Sequence, residues 1–144
     1  MLNKINKKIL NVINKQGKKE KAEKIFSKSC KLTQKNYLKN YKELIKAAII
    51  NLSPIANIGF ISIKKRRKIK RKETTYILKP NKRIFFSITT IVKTAKKKNP
   101  ILFYKKFSDE LIISSKALNK HAKKKILIHK QAFKKKFSNF KWFK

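Results

Sequence analysis

The chain has 144 residues, the length of one domain. Its 42 lysines and arginines against six acidic residues leave a formal net charge of +36, yet 41% of the chain is hydrophobic and 10% aromatic. Enough apolar material for a modest core excludes a purely disordered basic tail, and self-repulsion on this scale excludes an ordinary free-standing soluble enzyme. A partner of dense negative charge is required, and nucleic acid is the commonest.

Helical periodicity opens the chain. Ile5, Ile9, Val12 and Ile13 share one face, and Gly17 stops the segment. A second helix is expected from about Lys19, with Ala22, Ile25, Phe26, Ser29, Cys30 and Thr33 on one side and a break at Asn36. A third carries Leu38, Tyr41, Leu44, Ile45, Ala48, Ile49 and Leu52, and Ser53-Pro54 ends it because a residue before proline is pushed out of the helical region.

The period then changes. Ile61 and Ile63 alternate with Ser62, and Ile58 and Phe60 point the other way, as in a short strand. The run 64–72 places eight positive charges in nine residues. Thr74, Thr75, Tyr76, Ile77 and Leu78 suit a return strand, which Pro80 closes. Residues 58–79 thus read as a β-hairpin with a cationic tip, whose register is open because no Asn-Gly or Gly-Gly marks the turn.

Asn81 is the expected cap of a fourth helix with Ile84, Phe85, Ile88, Ile91, Val92 and Ala95 on its apolar face. Lys96, Lys97 and Lys98 sit at its C-terminal end, where cations suit the helix dipole. Pro100 opens a helix bearing Phe103, Phe107, Leu111 and Ser114, and a last helix from about Lys120 bears Ala122, Ile126, His129 and Phe133. The tail, 137–144, mixes four aromatics with charge. The expectation is a mainly α single domain over 1–144, with five or six helices and one inserted basic hairpin.

Chemistry-bearing groups are sparse. Cys30 is alone, which excludes a disulfide framework and suits a small buried hydrophobe. Asp109-Glu110 is the only acidic pair, and adjacent helical residues diverge by about 100°. Glu110 therefore reads as an internal partner for a lysine. His121 and His129 stand two turns apart, too far for a shared metal, and His129 reads as a packed or hydrogen-bonding side chain. With two glycines in the chain, a phosphate-cradling loop is nearly excluded. No catalytic residue, cofactor or metal is expected. No apolar run approaches the roughly 18 residues of a membrane span, and residues 1–8 lack a signal core. Abundant Lys, Asn and Ile, the residues of A/T-rich codons, suggest an A/T-rich genome such as an organelle's.

The basic clusters remain, interleaved with stripes that can build a core, the footprint of a folded domain whose surface binds phosphates. They are Lys18 and Lys19 before a helix, the hairpin's Lys64, Lys65, Arg66, Arg67, Lys68, Lys70, Arg71 and Lys72, then Arg83, the helix end Lys96, Lys97 and Lys98, and finally Lys123, Lys124, Lys125 and Lys130. In the tail, Lys141 adds charge, and Trp142 with Phe137, Phe140 and Phe143 could stack on unpaired bases or pack on the core.

The order of segments resembles the family of the seventh small-subunit ribosomal protein. Gly17-Lys18-Lys19-Glu20-Lys21-Ala22-Glu23-Lys24-Ile25 is similar to that family's GKK-x-x-A-E-x-I, and Asn51-Leu52-Ser53-Pro54 to its N-x-x-P. Ile61-Ser62-Ile63 before Lys65-Arg66-Arg67 resembles the outgoing strand, and Tyr76-Ile77-Leu78-Lys79-Pro80 the V-x-V-R-P return. Asn81-Lys82-Arg83 then leads to Ala95-Lys96-Lys97-Lys98, similar to A-R-K-R. Phe107-Ser108-Asp109-Glu110-Leu111 resembles L-A-x-E-L, Lys123-Lys124-Lys125 with His129-Lys130-Gln131-Ala132 resembles K-K-R-x-x-x-H-R-M-A, and Phe137-Ser138-Asn139-Phe140-Lys141-Trp142 resembles F-A-H-Y-R-W. These matches are colinear along nearly the whole chain. Three departures stand out: a basic N-terminal extension is not expected, charged residues replace the hairpin's glycines, and most family arginines are lysines, which lack the planar fork.

The resemblance implies binding to the 3′ major domain of small-subunit rRNA, organisation of the subunit head, and a hairpin near exit-site tRNA and outgoing mRNA. Lys64 to Lys72 would touch RNA there, and the helix-borne clusters would seat the chain on rRNA beside neighbouring head proteins. The composition and lysine bias suit an organellar copy in the mitoribosome of the mitochondrial matrix, with a plastid or bacterial cytoplasm as the other settings. Two rivals share the charge: an architectural DNA-binding protein, which would take any duplex, and an amphipathic protein on a membrane surface, which would need apolar faces left over after the core is built. An RNA-processing enzyme would need a convergent acid, base or metal site.

Overall fold

A computed structural model describes residues 2–14, 16–37, 40–65, 68–98, 102–134 and 140–141. Six helices, α1 (Leu2–Ile13), α2 (Lys19–Tyr37), α3 (Tyr41–Leu52), α4 (Pro80–Lys98), α5 (Phe103–Ser115) and α6 (Lys120–Lys134), surround one apolar cluster. Between α3 and α4 stands an antiparallel ribbon, β1 (Ala56–Lys65) and β2 (Lys68–Ile77). A two-residue strand, β3 (Phe140–Lys141), runs parallel to β2, with Thr75 opposite Phe140 and Tyr76 opposite Lys141. The chain is mainly α with one inserted hairpin. The strand in the tail was not expected from sequence.

Helix α5 is the axis of the core and packs on α2, α3 and α4. Its Phe103, Phe107 and Leu111 are buried, and Phe107 meets Phe26 of α2 at 6.5 Å between ring centres and Phe103 at 5.7 Å. Close approach of the helices follows from small side chains at their crossings: Ala48, Ala95, Ser29, Ser87, Ser108 and Ser114 have no accessible surface. Each buried hydroxyl needs a partner. Thr33 Oγ1 bonds the Ser29 carbonyl at 2.7 Å and meets Ser108 Oγ at 2.9 Å, which ties α2 to α5. Ser87 Oγ donates to the Arg83 carbonyl at 3.0 Å. Asn51 Nδ2 donates to the carbonyls of Ser114 and Ser115 at 3.1 and 2.8 Å, so α3 satisfies the C-terminal end of α5.

The expected stripes of α1, α2, α3 and α5 are the buried faces, with Leu38 outside the described residues. Boundaries moved for identifiable reasons. Asn36 lies inside α2, and the cap is Asn40, whose side chain accepts from the Lys42 N–H at 3.2 Å. Ser53 is extended at ψ 111°, as Pro54 demands, and α3 ends there. The ribbon reaches Ala56 and Ile77 rather than 58 and 79. Pro80 opens α4 instead of closing a strand: its fixed φ and missing N–H suit a first helical position, so Asn81 is inside the helix and not its cap. Pro100 lies outside the described residues, and α5 begins at Phe103. Phe85 is 53% exposed, because the inner face of α4 is filled by Ile88, Ile91, Val92 and Ala95. In α6 the inward side chains are Ala122 and Ala132, with His129 half-buried, while Ile126 and Phe133 are 54% and 68% exposed. This helix packs on β1 and α3 through small residues, so its larger apolar groups are displaced outward.

Candidate nucleic-acid interface

The ribbon's register, left open by the sequence, runs without interruption from Ala56 opposite Ile77 to Lys65 opposite Lys68. Ten residues at about 3.3 Å each give an arm of about 33 Å. Its root is fixed. Thr74 and Thr75 are buried, Leu78 N–H donates to the Ile55 carbonyl at 3.0 Å, and α6 packs against β1. The Tyr76 ring lies over Gly59 so closely that a Cβ there would stand 2.9 Å from Tyr76 Cε1, and Asn57 Nδ2 donates to the Tyr76 hydroxyl at 3.1 Å. The far half carries the charge. Lys64 stands opposite Ile69, Ile63 opposite Lys70, Ser62 opposite Arg71 and Ile61 opposite Lys72. Arg66 and Arg67 lie outside the described residues.

A second cationic locus forms where α1 turns into α2. Gln16 and Gly17 take left-handed backbone at φ 54° and 73°, which reverses the chain and places Lys18 beside the end of α4. Lys18, Lys21 and Lys96 line one groove of about 330 Å³ with Ile13, Ile25 and Phe103. Lys96 Nζ reaches the Val12 carbonyl at 3.4 Å and lies 5.9 Å from the Phe103 ring centre. Lys18 and Lys96, far apart in sequence, are thus neighbours. Lys19 points elsewhere and meets Glu23 at 3.8 Å in an exposed pair, worth about 0.3–0.5 kcal/mol. Lys97 is exposed, and Lys98 ends α4.

A third locus joins α3, α4 and α6. Lys125 Nζ donates to the Ile50 carbonyl at 2.9 Å, near the C-terminal end of α3, where a cation is favoured. His129 Nε2 accepts from the Ile55 N–H at 2.9 Å, so the imidazole is neutral at that nitrogen and holds the segment entering β1. Burial first, then the Arg83 charge, lowers the Lys125 pKa; burial, then Lys125 and Arg83, lowers that of His129. Arg83 is half-buried beside both, whereas Lys123, Lys124 and Lys130 are exposed along α6. Lys141 lies in β3, and Trp142 is outside the described residues.

The chain that builds this arrangement, a helical core whose outside carries two cationic loci and a basic arm, matches a known family model. The model is that of ribosomal protein S7p/S5e, and it covers residues 2–136. The chain belongs to the ribosomal protein S7p/S5e family. It is therefore a ribosome-associated protein of the small subunit that binds rRNA and takes part in translation, in a family that is generally non-enzymatic.

The residues that could have suggested chemistry have structural partners in this family member. Glu110 is 2% exposed and accepts from Asn119 Nδ2. Asp109 meets Lys106 at 3.8 Å. Cys30 is buried, and burial pushes its thiol pKa up to about 11. His129 is the hydrogen-bonding side chain expected of it. No helix is long and apolar enough to cross a membrane among the described residues. Sequence reasoning missed Lys21 and Lys46, which line grooves with the chosen cations. Lys21 sits one turn after Lys18 and was legible on that ground; Lys46 is a single lysine on the exposed side of α3 and carries no local signal.

Proposed function

We propose that the chain seats on the 3′ major domain of small-subunit rRNA, organises the head of the subunit, and extends β1–β2 toward exit-site tRNA and the path of outgoing mRNA. The ribbon's register is the observation that carries this reading. Lys65 faces Lys68, each of the four pairs that follow down to Ile61–Lys72 sets one cation opposite an uncharged residue, and the only acid between Ala56 and Ile77 is Glu73. Like charges directly opposite on neighbouring strands destabilise the pair. A two-stranded arm built this way is stable where phosphates stand between or around its cations.

The mechanism is neutralisation with fixed geometry. The α1–α2 turn with Lys96 to Lys98, the Arg83 locus, and Lys123, Lys124, Lys125 and Lys130 on α6 seat the protein on rRNA. The helical core sets the angle between the RNA segments they engage. Lys141 and Trp142 extend the surface beyond β3, with Trp142 offering a face for an unpaired base. Lysine-rich loci read charge more than base edges. The lysine-for-arginine bias and the Asn- and Ile-rich composition support an organellar setting, the mitoribosome of the mitochondrial matrix.

Sedimentation of a lysate through a gradient tests the assignment. The chain should travel with the small-subunit peak. Recovery with DNA, or at the top of the gradient, would favour the architectural DNA-binding reading or neither.

A further inference from the structure

Thirty-eight of the chain's 42 basic residues are lysines, yet the groove between α1, α3 and α4 holds an arginine. The groove has about 460 Å³, aliphatic walls from Ile5, Ile49, Ile50 and Ile84, and two cations, Lys46 and Arg83. Arg83 Nε is buried and has no hydrogen-bond partner within the protein. That N–H has almost no accessible surface and is closed to the groove, so what the half-buried side chain can offer a ligand there is its terminal nitrogens. Among the described residues no acidic side chain lines the groove, and none stands in the first turn of α4, to pair with that charge. The neighbouring Lys125 ammonium is engaged with the Ile50 carbonyl and adds its charge from behind.

The geometry points to a seat for one unstacked rRNA nucleotide, its phosphate accepting from Arg83 and its base lying against the isoleucine walls. This rests on the rRNA-binding reading and deepens it. Two features select a nucleotide over an acidic, apolar segment of a neighbouring protein. The locus presents Arg83 and Lys46 with Lys125 close behind, which a single carboxylate would leave mostly uncompensated, whereas an RNA strand brings one charge per nucleotide. The two terminal nitrogens of an arginine present donors in a planar fork that matches a phosphate edge, a geometry lysine cannot supply. The volume lies within the roughly 300–1,000 Å³ of small-ligand pockets.

The test uses the full chain with p-benzoylphenylalanine in place of Ile50, an exposed position on the groove's rim. It is assembled with a transcript of the 3′ domain of its small-subunit rRNA, and separately recovered in whole small subunits. Irradiation should give an adduct at one nucleotide. Arg83→Lys in the same background should cut that adduct about tenfold while overall affinity falls less than about threefold, because the charge is kept and only the fork is lost. A peptide adduct in whole subunits, adducts scattered over many nucleotides, or a yield indifferent to Arg83→Lys would each overturn the nucleotide seat while leaving rRNA binding intact. Failure of the unaltered chain to bind the transcript would overturn the ribosomal reading and the seat together.

Discussion

Ala117 holds φ 57° just past α5, where its N–H bonds the Ser114 carbonyl at 3.1 Å and the Leu118 N–H bonds the Ile113 carbonyl at 3.2 Å. This is a Schellman exit, which glycine normally occupies because a Cβ is strained there. Ala117→Gly should therefore raise stability by about 1 kcal/mol, read as a higher denaturant midpoint in high salt. His129 carries a second prediction. Its folded pKa lies below the ordinary 6.5, owing to burial and then to Lys125 and Arg83. The unfolded state then binds the proton more readily, so the stabilisation is complete above pH 6.5 and is lost as pH falls toward the folded value. Between pH 7.5 and 5 the native chain should lose thermal stability. His129→Gln, which keeps an acceptor for the Ile55 N–H without titrating, should lose clearly less. Parallel melts of the two proteins would decide it.

At the scale of elements, periodicity exposed what packing decides locally and missed what packing decides at a distance. The stripes of α1, α2, α3 and α5 were legible because each helix buries one continuous face. Helix α6 was not: it rests on a sheet and another helix through Ala122 and Ala132, so Ile126 and Phe133 face outward despite their hydrophobicity. Pro80 is compatible with a strand end and a helix start alike, and the start of α4 prevailed. Of the interface, each cluster was visible as charge. That Lys18 and Lys96 share a groove, and that Lys125 caps α3, depends on tertiary neighbours that no local pattern encodes. For the arm itself, Lys65, Arg66 and Arg67 changed together to alanine should weaken exit-site tRNA or mRNA crosslinks several-fold more than rRNA docking. Equal loss of both would refute that division of labour.

For the whole molecule, the governing quantity is the +36 charge carried around a core of helices. Described ion pairs such as Lys19–Glu23 and Lys106–Asp109 are exposed and shift that balance little. Packing favours the fold and the protein's own field opposes it. Salt screens exposed charges beyond about 10 Å at 0.1 M, and rRNA supplies charge at contact distance. The isolated chain should therefore be soluble and cooperatively folded only in high salt. Affinity for rRNA should fall by about 0.7–0.9 log units per log unit of salt for each phosphate engaged. The lone thiol of Cys30 reports the fold directly, because burial on the core side of α2 covers the sulfur and raises its pKa from 9.0 to about 11, which alone slows thiolate chemistry about a hundredfold. The decisive measurement is the alkylation rate of Cys30 at low salt and pH 8, with and without the rRNA 3′ domain. The thiol should react quickly in the free chain and at least about a hundredfold more slowly in the complex. A thiol equally protected in both would show that the scaffold stands without its polyanion.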